Sequence, residues 1–295
     1  MFFIVDGVDF ASYADDNTPY VAEDGIDQTI ASLEKTVKDL FQWFSDNEMK
    51  ANASKCHLLL SNKQTSIIEV EGTQVESSQS EKLLGITIDV NLTFNSHLDE
   101  MCKRASRKLN AIARMVPQMS VNKRRTLVNA FFKSQFNYCP LVWMCHNRRY
   151  NNHINRLHER SLRIVYNDKR SSFDELLKKD GSVSIHVRNI QVLMIELYKV
   201  KNNLTPTLLC EIFKLKPTLP YDLRTVSDFE IPKVRTVNFE TESISYLGPK
   251  LWETVPSSIR ELDSLDSFKK SIKKWIPKNC PCRLCKNYVQ NIGFL

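Results

Sequence analysis

Phe10-Ala11-Ser12-Tyr13-Ala14-Asp15-Asp16-Asn17-Thr18-Pro19-Tyr20 sets two adjacent carboxylates between an apolar-leaning run and a polar turn. Turn residues between two β-prone runs predict a hairpin with Asp15 and Asp16 at its tip. In a straight strand neighbouring side chains point to opposite faces, so an Asp pair converges only where the chain bends. Two carboxylates so placed repel each other and suit a hard divalent cation, Mg²⁺ or Mn²⁺.

Working outward, Ile26, Ile30, Leu33, Val37, Leu40, Phe41 and Phe44 recur at steps of three and four. That spacing predicts an amphipathic helix with Asp24 or Asp27 as its N-cap. A polar loop through Asn52-Ala53-Ser54-Lys55 then feeds a short apolar strand at 58–60, with further strands at 67–71 and 83–89. From His97 the pattern turns helical. Leu98, Met101, Ala105, Leu109, Ile112 and Met115 line one face, and helices follow at 122–138, 151–166, 173–179 and 187–201. Residues 216–250 hold four of the eleven prolines and read as an irregular connector before a last helix at 267–275. The expected fold class is α+β, divided at 1–94, 95–215 and 216–295.

The net charge of +7 conceals an asymmetry. Residues 1–98 hold 16 acidic against 6 basic side chains, whereas residues 99–170 hold 16 basic against 4 acidic. An acidic block followed by a basic one suits a metal-dependent unit beside a nucleic-acid grip. His153, Arg156, Arg160 and Arg163 fall at helical steps and form one basic ridge, to which Lys103, Arg104, Arg107 and Lys108 add a second group. Contacts of this kind hold phosphates without reading base sequence. No apolar run reaches the ~20 residues of a membrane-spanning helix. The opening apolar run, closed at once by Asp6, is too short for a signal-peptide core.

Tyr13-Ala14-Asp15-Asp16 resembles the Y/F-x-D-D signature of reverse transcriptases. The order of the other pieces is similar to the non-LTR, jockey-like branch of that family. Asn52 and Lys55 fit its next motif, although Ala51 and Cys56 replace the usual Leu and Thr. Leu83-Leu84-Gly85-Ile86, then Asp89, Leu92, Phe94 and His97, resembles its primer-grip signature, with Leu83 in place of Tyr. Tyr246-Leu247-Gly248-Pro249-Lys250-Leu251-Trp252, Val255-Pro256 and Phe268-Lys269 resemble its tail.

The resemblance implies the end of a palm, a helical thumb and a short tail of an RNA-directed DNA polymerase. Such an enzyme performs two-metal nucleotidyl transfer with Mg²⁺ or Mn²⁺, deoxynucleotides, an RNA template and a DNA primer. It makes Asp15 the metal ligand, Asp16 its neighbour, Lys55 the donor toward the departing pyrophosphate, and Leu84 and Gly85 the backbone beside the primer. The family's remaining carboxylate stands on a strand upstream of the hairpin, beyond these residues, and Asp6 and Asp9 lie too close in sequence to replace it. The expectation is therefore no primer extension by the isolated 295 residues. The alternative is a catalytically dead remnant that binds nucleic acid. An intracellular location, nuclear or cytoplasmic, follows from either.

Eight cysteines without a secretory leader fit a reducing compartment. Cys280, Cys282 and Cys285 make a C-x-C-x-x-C cluster, one thiolate short of a zinc site, so the fourth ligand would have to come from elsewhere. Read by spacing alone, the cluster favours free thiols over zinc.

Overall fold

The computed structural model of the chain describes residues 8–61, 65–145, 147–217, 227–233, 243–277, 280, 282 and 284. Two units divide it, Met1–His97 and Leu98–Leu295. Strands and helices are both present, so the α+β class holds.

In the first unit, β1 (Asp9–Tyr13) and β2 (Asp16–Tyr20) pair antiparallel with Tyr13 opposite Asp16, leaving a loop of Ala14 and Asp15. The predicted hairpin is present, but Asp15 lies in the turn while Asp16 opens β2. Next, α1 (Ile26–Asp46) follows the predicted stripe. Its N-cap is Gly25, which offers no side chain, rather than Asp24 or Asp27; Asp27 instead sits in the first turn, where a negative charge favours the helix dipole. Ile26, Ile30, Leu33, Val37 and Phe41 pack on Leu58, Leu60, Ile68, Val70 and Val75.

Those residues belong to or adjoin β3 (Leu58–Leu59), β4 (Ile67–Val70) and β5 (Thr73–Ser78), ordered β3-β5-β4. The β4–β5 pair is antiparallel and the β3–β5 pair parallel. Sequence reading passes over β5 because Thr73-Gln74-Val75-Glu76-Ser77-Ser78 has a single apolar residue. The single strand expected at 83–89 is a hairpin, β6 (Ser80–Leu83) against β7 (Ile86–Asp89). Leu84 at φ 47° and Gly85 at φ 82° form its two-residue turn, the conformation a primed hairpin turn requires. Gly85 is thus demanded by the turn itself, which is what the sequence reading took for a strand interior.

In the second unit, α2 (Asn95–Met115) buries Leu98, Met101, Cys102, Ala105, Leu109 and Ile112. Met115, expected on the same stripe, is 51% exposed at the helix end. The single helix expected at 122–138 is α3 (Val121–Leu127), then a π-helical turn at Val128–Phe132 and a 3₁₀ turn at Lys133–Phe136. These winding changes accompany burial of Val128, Phe132 and Phe136 at four-residue steps. Then come α4 (Pro140–Trp143) and α5 (Arg148–Tyr166), the latter N-capped by the Asn147 side chain. A reciprocal Ser172–Glu175 capping box starts α6 (Phe173–Asp180), and Ser184 caps α7 (Ile185–Lys201).

Helix α7 is buried nearly all round, and Ile190, Leu193, Met194, Leu197, Tyr198 and Val200 make it the centre of the unit. Val192 and Ile195 are half-buried. The segment expected to be an irregular connector and separate tail shares this core. After α8 (Thr207–Ile212), Phe213 and Phe229 join it. Then α9 (Ile244–Trp252), α10 (Ser257–Arg260) and α11 (Leu265–Ile272) add Leu247, Leu251, Trp252, Phe268 and Ile272. Phe268 stacks on Tyr198 with ring centres 4.2 Å apart. Among the described residues no helix is long and apolar enough to cross a membrane.

Candidate functional site

The carboxylate turn is open to solvent. Ala14, Asp15 and Asp16 are exposed, and Tyr13 beside them is 68% exposed. Asn17 braces the bend from within: its side-chain amide donates to the Asp15 carbonyl at 3.4 Å and its Oδ1 accepts from Ser12 Oγ at 2.7 Å. Ala14 takes φ 55°, in the left-handed region where glycine is usual at the first loop position of such a turn. Among the described residues no third His, Cys, Asp or Glu joins Asp15 and Asp16 closely enough to share a cation.

Lys55 is exposed at the end of the 3₁₀ turn Ala53–Lys55. Asn52, its companion in the sequence motif, caps that turn by accepting from Ser54 N at 3.0 Å and Ser54 Oγ at 2.7 Å. The carboxylate of Asp89 organises the loop after β7. It accepts from the backbone of Asn91, Thr93 and Phe94, at 3.1, 3.1 and 2.6 Å, and from Thr93 Oγ1 at 3.0 Å. Leu92 and Phe94 adopt positive φ in that loop, and Thr87 N donates to the buried His97 Nδ1 at 3.4 Å. The D, L, F and H of the primer-grip-like signature are therefore a loop clamp, presenting the Leu84–Gly85 turn at the far end of the hairpin.

The basic group divides. Lys103, Arg107, Arg156 and Arg160 are exposed, Arg104 and Lys108 half-buried. On α5 the ridge lies opposite Ile154, Leu157, Ser161 and Leu162, which face the core. Arg160 Nη2 donates to Asn110 Oδ1 at 2.6 Å, tying α5 to α2. Lys103 lies about two turns before Asn110 on the same side of α2. Arg163 is committed elsewhere. Its guanidinium bonds Glu159 at 2.6 Å, the Ser171 carbonyl at 3.0 Å and the Asp168 carbonyl at 3.3 Å, holding the loop between α5 and α6.

Other charges in this unit serve packing. Asp180 accepts from Tyr166 Oη at 2.9 Å and pairs with Arg125 and Lys133, both at 3.2 Å. Burial pushes its carboxyl up, but the hydrogen bonds and Lys133 outweigh that and hold it below the usual range. His158 lies beneath them between Phe132 and Phe173, and burial followed by the Lys133 charge lowers it to about 3. Asp228 receives the Trp252 indole N–H at 2.6 Å and Lys201 at 3.0 Å. Gly248 lets α9 approach closely, since a Cβ there would lie 2.9 Å from Phe213 Cε1.

Of the three clustered cysteines, Cys280 and Cys282 come together and Cys285 lies outside the described residues. The histidine beside them, His186, is not marked by the sequence, because nothing local links the first turn of α7 to a cysteine 96 residues away. These observations are what characterise the chain, since neither a protein-family model, nor a curated protein, nor a solved structure matches it.

Proposed function

We propose that the chain is a palm–thumb segment of a non-LTR retrotransposon reverse transcriptase that grips an RNA–DNA duplex and performs no chemistry by itself. The observation that carries this reading is the exposed basic surface made jointly by α2 and α5. There Lys103, Arg107, Arg156 and Arg160 stand outward and the Arg160–Asn110 bond joins the helices. Arg163, spent on its own loop, is left out of the grip. The solvent-open Asp15–Asp16 turn supports the polymerase kinship. In a complete two-metal site Asp15 would hold Mg²⁺ or Mn²⁺ with Asp16 beside it, and Lys55 would face the leaving pyrophosphate.

The test is binding to an RNA–DNA hybrid across a salt series. Each phosphate contact contributes about 0.9 to the slope of log affinity against log salt on B-DNA, with a comparable dependence expected for the hybrid. Lys103→Gln, Arg107→Gln and Arg156→Gln should each lower the slope by about one. A slope near zero for the unaltered chain overturns the grip. Template-dependent DNA synthesis that Asp15→Ala abolishes overturns the statement that these residues lack a complete site.

A further inference from the structure

We infer that His186, Cys280 and Cys282 are ligands of a structural zinc ion that fastens the end of the chain to the first turn of α7. The donor atoms come from two distant segments and meet in one place. His186 Nε2 lies 3.3 Å from Cys282 Sγ, Cys280 Sγ lies 3.1 Å from Cys282 Sγ, and all three atoms fall within 4.8 Å of one another. The two sulfurs are well beyond the ~2.05 Å of a disulfide.

Packing brings them together. His186 is the second residue of α7 and is 7% exposed, and Cys282 is 5% exposed within the same core as Ile190 and Leu193. Five residues along α7, the Gln191 side-chain amide donates to the Lys273 carbonyl at 3.2 Å and the Trp275 carbonyl at 2.8 Å. That fork anchors the exit of α11 against α7, and five residues after Trp275 the chain arrives at Cys280.

Two sulfurs and an imidazole are borderline-soft donors, which select Zn²⁺ over Mg²⁺ or Ca²⁺. On binding, each cysteine gives up its thiol proton and the imidazole binds neutral, so two thiolates balance the dication. Among the described residues one tetrahedral position remains. Burial of His186 and Cys282 in an apolar core fits a structural site rather than a catalytic one open to substrate. The inference is independent of the nucleic-acid reading.

The experiment measures zinc in the full chain purified under reducing conditions, followed by cobalt substitution. About one metal per chain is expected, with sulfur-to-cobalt charge-transfer bands in the absorption spectrum. Cys282→Ser and His186→Ala should lose the metal and the bands, whereas Cys210→Ser, a half-buried cysteine outside the cluster, should keep both. Should either ligand variant fail to fold, alkylation of the unaltered chain decides: zinc should protect Cys280 and Cys282 from iodoacetamide, and chelator should expose them. No bound metal and no cobalt bands, metal retained by Cys282→Ser, or alkylation unaffected by chelator would each overturn the inference.

Discussion

Gly248→Ala tests the packing of α9 on α7. The position lies inside a helix, where alanine ordinarily gains about 1 kcal/mol over glycine. Here the new methyl would stand 2.9 Å from Phe213 Cε1 and 3.5 Å from Leu197 Cδ1. Phe213 is a ring at 1% exposure with no room to swing away, so the overpacking cost of about 1–3 kcal/mol applies. Pro249 follows directly, and a Cβ on the residue before proline disfavours the helical backbone further. The net expectation is a loss of about 1–2 kcal/mol, opposite in sign to the propensity effect. Urea unfolding monitored by near-ultraviolet circular dichroism reads it. In a double-mutant cycle, Phe213→Leu should relieve the clash and show a coupling of about 1 kcal/mol. A stabilised Gly248→Ala protein with no coupling to residue 213 would refute the reasoning.

Acid should destabilise the second unit through His158. Its folded value of about 3 lies below the ordinary value, so the unfolded chain binds more protons between the two. The stability is complete above about pH 6.5 and falls by about 1.4 kcal/mol per pH unit as pH drops toward 3. His158→Phe should remove that slope in urea titrations at pH 7 and 4.5. Asp228→Ala leaves Trp252, Lys201 and Arg260 without their shared carboxylate and should cost about 2–3 kcal/mol in the same assay. Arg163→Ala should lower the melting temperature while leaving hybrid affinity near that of the unaltered chain, and Arg156→Ala should do the reverse. Ala14→Gly, at φ 55°, should stabilise the first unit by about 0.5–1 kcal/mol, read by hydrogen exchange of the β1–β2 amides.

Much of the local structure was legible from periodicity. The stripe from Ile26 to Phe41 placed α1, and Leu98 through Ile112 placed α2, because a helix that buries one face must repeat its apolar residues near every 3.6 positions. Where polarity and burial part company, the pattern fails. β5 is polar yet central in its sheet, and the Leu84–Gly85 turn hides inside an apolar run whose backbone angles alone reveal it. Winding changes at Val128–Phe136 are equally invisible, since the looser π turn and the tighter 3₁₀ turn follow each other and leave the apolar spacing nearly unaltered.

For the candidate sites, the sequence by itself determined the residue types: paired acids at a bend, a basic run, a cysteine cluster. It also determined the α+β alternation, because hydrophobic spacing and turn chemistry are local properties of neighbouring residues. Tertiary structure decided which of those side chains remain available. It spent Arg163 on the Asp168–Ser171 loop, left Arg156 and Arg160 outward, drew the proline-rich tail into the α7 core and set His186 beside two cysteines. Contacts between residues tens of positions apart depend on how whole elements pack, and no local pattern encodes that packing.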